Sequence, residues 1–161
     1  MILKGRKALF NLICFICLVQ PLEAQLNMEE KIIIAHRGAS GYLPEHTLES
    51  KALAYGLGAD YLEQDLVLSR DDVVIVMHDI FLDEVTNVAT IFPDRVRNDG
   101  RYYVIDFNYE ELLELKVHER VDRSTGEQVF PERFPKDKSS FSVPSLNEEI
   151  EMIQGINLNS G

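Results

Sequence analysis

Three short stretches of the sequence place ionisable residues at spacings that suit acid–base or metal chemistry. His36 and Arg37 directly follow a run of apolar residues. Glu63 and Asp65 stand two positions apart in a second such run, and His78 ends a third. Histidine can exchange protons near neutral pH, arginine binds anions, and paired carboxylates attract hard divalent cations. These residue types together suggest a site that handles an anionic substrate.

Each stretch also has an ordinary structural explanation. Glu63 and Asp65 could simply form an exposed polar face of a strand, which is the commoner case for so short a motif. A single histidine at a strand end usually packs or caps. The coincidence favours a site, because three successive strands deliver ionisable groups near their C-terminal ends, where the chemistry of α/β barrels collects.

The elements that must position these residues are predicted in an order typical of an α/β fold. Apolar patterns predict strands over residues 31–35, 61–69 and 73–79 and a helix over residues 47–57, the first strand being buried as in a parallel sheet. The inner face of the helix is predicted to contain Leu48, Ala52 and Tyr55, with Leu53 as a further candidate. In the second strand, Leu62, Gln64, Leu66 and Leu68 alternate with Glu63, Asp65 and Val67.

The stretch of residues 85–143 differs from the rest, because it is polar and contains several prolines. We interpret it as an insertion over the end of a barrel, with one short helix at residues 109–115. After it, Ser145 and Glu148 have the spacing of a capping box, which predicts the start of another helix.

The overall charge excludes one broad class of function. The chain has 16 basic and 27 acidic residues and a net charge of −11. Loss of residues 1–24 would remove three basic residues and one acidic residue, leaving 13 against 26 and a net charge of −13. Such a chain is unsuited to general nucleic-acid binding. It can still bind a phosphate ester where a cation or an arginine offsets the local charge.

Residues 1–24 have the pattern of a secretory signal peptide. Basic residues precede an apolar run shorter than the ~20 residues of a spanning helix, and Ala24 offers a small residue for cleavage. The alternative is an uncleaved anchor. Cys14 and Cys17 both lie in this segment, so a cleaved chain would have no disulfide. We therefore expect a secreted or periplasmic protein, with residues 25–161 as one domain and no stable membrane span after cleavage.

Three motifs resemble the N-terminal half of a glycerophosphodiester phosphodiesterase: "AHRGASGYLPEHT", "ADYLEQDLVLSRDDVVIVMHD" and "VPSLNEEIEMI". The pattern "FPDR…DGRYY…DF" within residues 85–143 is similar to the bacterial periplasmic subgroup of that family. The resemblance extends from residue 32 to the end of the chain, and the combination of His-Arg-Gly, Glu-x-Asp and His-Asp at these separations is specific.

The resemblance implies a fold and a reaction. The fold would be a partial TIM (β/α)8 barrel, made of the first three or so β/α units plus the insertion. The reaction would be the metal-dependent hydrolysis of a small-molecule glycerophosphodiester to an alcohol and sn-glycerol 3-phosphate. The family uses a divalent metal, so calcium is the first expectation and magnesium the alternative.

The resemblance also implies roles for individual residues. They are the acid–base pair His36 and His78, the phosphate-binding Arg37, the metal ligands Glu63 and Asp65, and the site-lining Glu45. His46 stands where many relatives have asparagine, although the periplasmic subgroup often has histidine. His118 lies in the insertion, matches no motif and is expected at the surface.

An eight-unit barrel needs ~200 residues or more, so we expect this chain to be the N-terminal part of one, with a third metal carboxylate beyond residue 161. The activity of the 161 residues alone would then be in doubt. The alternatives are a catalytically inactive fragment, or a secreted binding or surface-interaction module on the same fold. A related barrel, such as a phosphatidylinositol-type phospholipase or a sphingomyelinase D, is a third possibility, and the "FPDR…DGRYY" pattern argues against it.

Overall fold

The computed structural model describes residues 31–133 and 140–159, which form an α/β arrangement. The strands are β1 (Ile34–Ala35), β2 (Tyr61–Leu62), β3 (Leu66–Leu68) and β4 (Val74–Val76). The α-helices are α1 (Leu48–Gly56), α2 (Val88–Ile91), α3 (Tyr109–Leu112) and α4 (Leu146–Asn159), and 3₁₀ turns occupy Pro93–Arg95 and Val104–Asp106. β1 pairs in parallel with β2, and β3 pairs antiparallel with β4. The described residues thus contain two two-stranded sheets and no closed barrel.

The first strand is shorter and more exposed than the sequence predicts. Within residues 31–35, only β1 pairs with another strand. The side chains of Ile32, Ile33 and Ile34 are 63%, 58% and 61% exposed. The prediction of a buried strand is therefore wrong here. β2 is its only neighbouring strand in the part of the chain that the structure describes, so these side chains remain in contact with solvent.

The single strand predicted over residues 61–69 is instead two strands, because residues 63–65 leave the extended ladder. β3 then forms a hairpin with β4, in which Val67 lies opposite Ile75 on the side that packs into the core. Leu66 and Leu68, on the opposite face of β3, are 48% and 47% exposed. The hairpin thus buries the face of Val67 and leaves the face of the two leucines in contact with solvent. The third predicted strand is reduced to β4.

Helix α1 begins and ends within one residue of the prediction, and the Thr47 hydroxyl accepts a hydrogen bond from the Ser50 N–H at 3.2 Å. Its buried face is different from the predicted one. Ser50, Lys51 and Ala54 are buried, whereas the predicted Leu48, Ala52, Leu53 and Tyr55 are only half-buried. The apolar pattern did not predict this face, because two of its three buried residues, Ser50 and Lys51, are polar or charged.

The stretch of residues 85–143 supplies most of the hydrophobic core. The core is formed by Ile75, Met77, Leu82, Val85, Val88, Tyr102, Val104, Phe107, Leu112, Leu115, Val117 and Val143. Helix α3 covers the first part of the helix predicted over residues 109–115. His118, expected at the surface, is only 8% exposed. Its backbone N–H donates to the Val85 carbonyl at 2.9 Å, and this bond holds the residue beside the core.

The capping box that opens α4 is confirmed. The backbone N–H of Ser145 donates to Glu148 Oε2 at 2.8 Å, and the Glu148 N–H donates to the Ser145 hydroxyl at 3.3 Å. The Val76 N–H donates to the Pro144 carbonyl at 3.0 Å. This contact fixes the start of the helix against β4.

A buried ion pair joins α1 to α4. Lys51 and Glu149 are both 0% exposed, and Lys51 Nζ lies 3.7 Å from Glu149 Oε1. Gln64 bridges the two charges, since its Oε1 accepts from Lys51 at 2.9 Å and its Nε2 donates to Glu149. Lys51 Nζ also donates to the main-chain carbonyl of Glu63. Burial lowers the pKa of Lys51, and the charge of Glu149 opposes that shift.

The loop after β1 packs tightly on α1 at Gly38. Gly38 has a φ of +83°, and a Cβ built on it would lie 2.6 Å from the Ser50 hydroxyl. The next residue, Ala39, donates its N–H to the Ser50 carbonyl at 3.0 Å. Glycine is required here by both the backbone conformation and the close approach.

Among the residues that the structure describes, every helix is too short or too polar to cross a bilayer. The predicted signal peptide of residues 1–24, with Cys14 and Cys17, lies outside the described residues.

We predict that breaking the buried pair destabilises the protein strongly. Lys51→Met or Glu149→Leu should each lower the free energy of unfolding by roughly 3–5 kcal/mol, because each leaves one buried charge uncompensated. The double variant should be closer to the wild type, since neither charge remains. Urea unfolding measures all three. The control is Arg97→Met, which removes an ion pair with side chains 45% and 28% exposed and should cost about 1 kcal/mol or less. Equal losses in control and single variants would contradict the prediction.

We also predict that Gly38→Ala is more costly than Gly58→Ala. Both glycines have a φ of +83°, but a Cβ at Gly58 meets nothing within 4 Å. Gly58→Ala should therefore show only the backbone cost of about 1–2 kcal/mol. Gly38→Ala should lose ~1–3 kcal/mol more through overpacking against Ser50. Thermal unfolding of the two variants measures the difference, and indistinguishable midpoints would show that the loop does not depend on this contact.

Candidate active site

The loop after β1 brings a charged residue back toward the end of β2. Arg37 has a φ of +59° and His46 a φ of +61°, so two non-glycine residues adopt the left-handed conformation. The Arg37 N–H donates to Glu63 Oε2 at 2.7 Å, and the His46 N–H donates to the Arg37 carbonyl at 3.0 Å. Such conformations are costly and cluster at functional sites. Here they close the loop against the carboxylates that follow β2.

The Arg37 side chain lies between two carboxylates. Its Nη1 donates to Glu45 Oε1 at 3.0 Å, and its Nε lies 4.0 Å from Asp65 Oδ2. Nε is buried and has no hydrogen-bond partner among the residues that the structure describes. A guanidinium that carries five N–H groups and gives Glu45 only one of its nitrogens is suited to bind an anionic oxygen as well.

Glu63, Asp65 and His46 form a candidate metal group. One ligand atom from each lies within 4.8 Å of the other two. Two carboxylates at this distance repel each other unless positive charge lies between or beside them. The donor set fits a hard divalent cation through its two carboxylates, whereas an imidazole nitrogen is a less usual ligand for calcium or magnesium.

His46 is better suited to orient Asp65 than to bind the cation itself. Its Nε2 lies 3.0 Å from Asp65 Oδ2, and the ring is 3% exposed. Burial lowers the pKa of His46 and the charge of Lys51 lowers it further, although Asp65 and Glu45 oppose the shift. The ring is thus neutral at neutral pH and can donate one N–H to Asp65, as an asparagine amide at this position also could.

A second set of contacts links His78 to Glu45. His78 Nδ1 lies 2.8 Å from Asp79 Oδ1, and Asp79 Oδ2 forms an ion pair with Arg120 Nη1 at 2.6 Å. Arg120 donates to both oxygens of Glu45, at 2.7 and 3.2 Å, and to Glu84 Oε2 at 2.8 Å. His78 is thereby connected through Asp79, Arg120 and Glu45 to Arg37.

The arginines favour the ionised form of two carboxylates, Glu45 and Asp79. Burial is the largest influence on Glu45 and on Asp79, and it raises the pKa of each. The hydrogen bonds and charge of Arg120, with Arg37 helping at Glu45 and His78 at Asp79, outweigh burial and hold both pKa values below their usual range. Burial alone would lower the pKa of Arg120, but its carboxylate partners raise it.

The structure connects most of the residues that the sequence proposes for the site. One polar network contains Arg37, Glu45, Glu63, Asp65 and His78. The network does not include His36, whose side chain is exposed and borders an open cavity of about 320 Å³ that also involves Ile33 and Tyr42 but none of the network's residues. His36 and Arg37 are consecutive, so the same loop carries both.

Sequence reasoning assigned no role to Asp79, His46 or Arg120. Asp79 could have been suspected from its place beside His78, and His46 from its place beside Glu45. Arg120 carries no such signal, because it lies 75 positions from its partner Glu45 and outside the "FPDR…DGRYY…DF" pattern.

Comparison with known proteins shows the family of the chain. Residues 36–161 match the "Glycerophosphoryl diester phosphodiesterase family". The chain is 55% identical over 134 residues to a glycerophosphodiester phosphodiesterase of Haemophilus influenzae, covering 82% of this chain and 37% of that protein. It is 46% identical over 136 residues to one of Treponema pallidum, covering 82% and 38%. The chain thus spans well under half the length of these relatives.

Solved structures give the same result. A glycerophosphodiester phosphodiesterase from Agrobacterium tumefaciens matches with a TM-score of 0.56 and 30% identity, over 78% of this chain and 43% of that one. A phosphodiesterase from Oleispira antarctica, solved in complex with the product sn-glycerol-3-phosphate, matches with a TM-score of 0.54 and 29% identity, over 78% and 40%. The chain belongs to the glycerophosphoryl diester phosphodiesterase family.

Proposed function

We propose that the protein hydrolyses a small glycerophosphodiester to an alcohol and sn-glycerol 3-phosphate. The observation that carries the proposal is the single network that connects Arg37, Asp65 and His78 across the ends of β1, β2 and β4. Anion binding, metal-binding carboxylates and a proton-transfer group are what phosphodiester cleavage requires. The names of the relatives from Haemophilus influenzae and Treponema pallidum support the same reaction.

The cation of this proposal is a divalent metal held by Glu63 and Asp65. Calcium is the first choice and magnesium the alternative, since both take carboxylate oxygens. When bound, the cation would stabilise the negative charge on the phosphate. The Arg37 N–H fixes Glu63, and the neutral ring of His46 fixes Asp65, so both carboxylates are oriented before any cation binds.

Arg37 is proposed to bind the phosphate. Its contact with Glu45 involves only Nη1, so the guanidinium has further N–H groups to donate to an anionic oxygen. As negative charge builds up on the phosphate in the transition state, a fixed guanidinium stabilises that state more than the ground state. The left-handed backbone of Arg37 is consistent with this role, because it keeps both the main chain and the side chain near Glu63 and Asp65.

The two histidines are proposed to move the protons. Asp79 accepts from His78 Nδ1, which leaves His78 Nε2 to exchange a proton with the substrate. His36, on the loop that carries Arg37, is the second group. One histidine removes the proton of the attacking oxygen, and the other donates a proton to the leaving alkoxide as the phosphorus–oxygen bond breaks. The attacker is water or the glycerol hydroxyl of the substrate; in the second case, water then opens a cyclic phosphate.

We infer further that the domain is part of a (β/α)8 barrel. The parallel pair of β1 and β2 with α1 between them in sequence supports this, as one β/α unit of such a barrel would be built this way. The boundary at residue 25, the insertion at residues 85–143, the periplasmic subgroup and the secreted or periplasmic location remain proposals. They rest on the N-terminal pattern and the "FPDR…DGRYY" motif.

We predict that the full-length protein releases sn-glycerol 3-phosphate from glycerophosphocholine. His36→Ala and His78→Ala should each lower kcat by roughly 100-fold or more, because that is the usual contribution of acid–base catalysis. A coupled assay for glycerol 3-phosphate measures this. The matched control is His118→Gln, because His118 lies outside the network and packs near the core.

Two outcomes would contradict the proposal. Binding of glycerophosphocholine in calorimetry without turnover would indicate a binding module instead of an enzyme. If His36→Ala or His78→Ala keeps the same kcat as the control His118→Gln, the replaced histidine does not move a proton in the reaction.

A further inference from the structure

Arg120 enters the candidate site from the stretch of residues 85–143, on a backbone that is fixed on both sides. The Val121 N–H donates to the Glu84 carbonyl at 2.9 Å, and the Val129 N–H donates to the Arg120 carbonyl at 2.9 Å. These backbone hydrogen bonds alone hold residue 120 beside Glu84. The side chain itself is 16% exposed.

One guanidinium contacts three carboxylates on two separate parts of the chain. It grips Glu45 with Nε and Nη2, and it uses Nη1 for both Asp79 and Glu84. Glu45 belongs to the loop after β1, and Asp79 follows β4. In the described residues, this is the side chain that connects the loop of Arg37 to the residue that holds His78.

We propose that Arg120 is a positioning residue for the reaction: it sets the orientation of Arg37 through Glu45 and of His78 through Asp79. The inference rests on the proposed phosphodiesterase function. It assigns to the stretch of residues 85–143 a direct part in organising the site, in addition to its part in the core.

The charges explain why an arginine is needed at this point. Without Arg120, Glu45, Asp79 and Glu84 would be brought together with too little positive charge to offset them, and they would move apart. Asp79 would then release His78 Nδ1, and Glu45 would no longer hold its position beside Arg37 Nη1. Lysine would restore the charge but not the fork, because its single ammonium cannot grip Glu45 at two atoms while also reaching Asp79.

A second arginine from the same stretch supports this role. Arg133 Nη1 donates to the Ser40 carbonyl at 3.0 Å, in the loop after β1, and lies 3.6 Å from Glu119 Oε1. The stretch therefore fastens the loop at two places, Glu45 and Ser40. Arg120 is the one of the two that also reaches Asp79.

The test compares Arg120→Met and Arg120→Lys with Arg101→Met in the full-length protein. Arg101 is the matched control, because it is also 16% exposed and also pairs with Glu84, but its ion pairs are with Asp83 and Glu84 rather than Glu45 or Asp79. Arg120→Met should lower kcat for glycerophosphocholine by about 100-fold, the scale of a misplacement of about 1 Å. Arg120→Lys should fall between that variant and the wild type, and Arg101→Met should stay within about threefold.

A spectroscopic readout separates positioning from general damage. In long-range ¹H–¹⁵N spectra, the neutral ring of His78 should carry its proton on Nδ1 in the wild type and in Arg101→Met, and should lose that preference in Arg120→Met. If the wild type does not hydrolyse the diester, the proposed function fails, and the His78 spectrum still decides the role of Arg120. If Arg120→Met does not fold, Arg120→Lys must show at least about a tenfold loss of kcat. Full activity or an unchanged His78 tautomer in the Arg120 variants would overturn the inference.

Discussion

The crowding of carboxylates beside two arginines is the constraint on which the rest of the site depends. Glu45, Glu63, Asp65, Asp79 and Glu84 all lie in one network in a chain of net charge −11. Two like charges 4 Å apart repel by about 4 kcal/mol near a protein surface. Arg37 and Arg120 offset this repulsion, and each does so by contacting carboxylates from more than one part of the chain. A bound cation would complete the same compensation at Glu63 and Asp65.

The fold can be understood as the support for this arrangement. The loop of Arg37 needs the left-handed turn at Gly38 and its close contact with α1. Lys51 fixes the segment after β2, because its ammonium donates a hydrogen bond to the main-chain carbonyl of Glu63. The stretch of residues 85–143 supplies most of the hydrophobic core and places Arg120 in contact with Glu45. The loop of Arg37, the buried Lys51 and the stretch of residues 85–143 thus all help to position the carboxylates of the site.

Local signals made part of this arrangement predictable. The limits of α1, the capping box of α4 and the conjunction of Arg37, Glu63 and His78 near strand ends follow from short-range patterns. Lys51 was missed because a buried charge violates the apolar pattern, and its oppositely charged partner Glu149 lies 98 positions later in the chain. The break at residues 63–65 and the contacts of Arg120 depend equally on distant partners. Periodicity and motif spacing therefore cannot predict which charged residues pair over long distances in the chain.

The central claim is that these side chains form one site for a cation and a phosphate. A crystal structure of the full-length protein grown with calcium and sn-glycerol 3-phosphate tests it most directly. The account predicts a cation bound by Glu63 and Asp65, and a phosphate oxygen within hydrogen-bond distance of the Arg37 guanidinium. His36 and His78 should lie beside the phosphate. A phosphate bound away from Arg37, or a cation held by other carboxylates while Glu63 and Asp65 keep only their present contacts, would contradict the account.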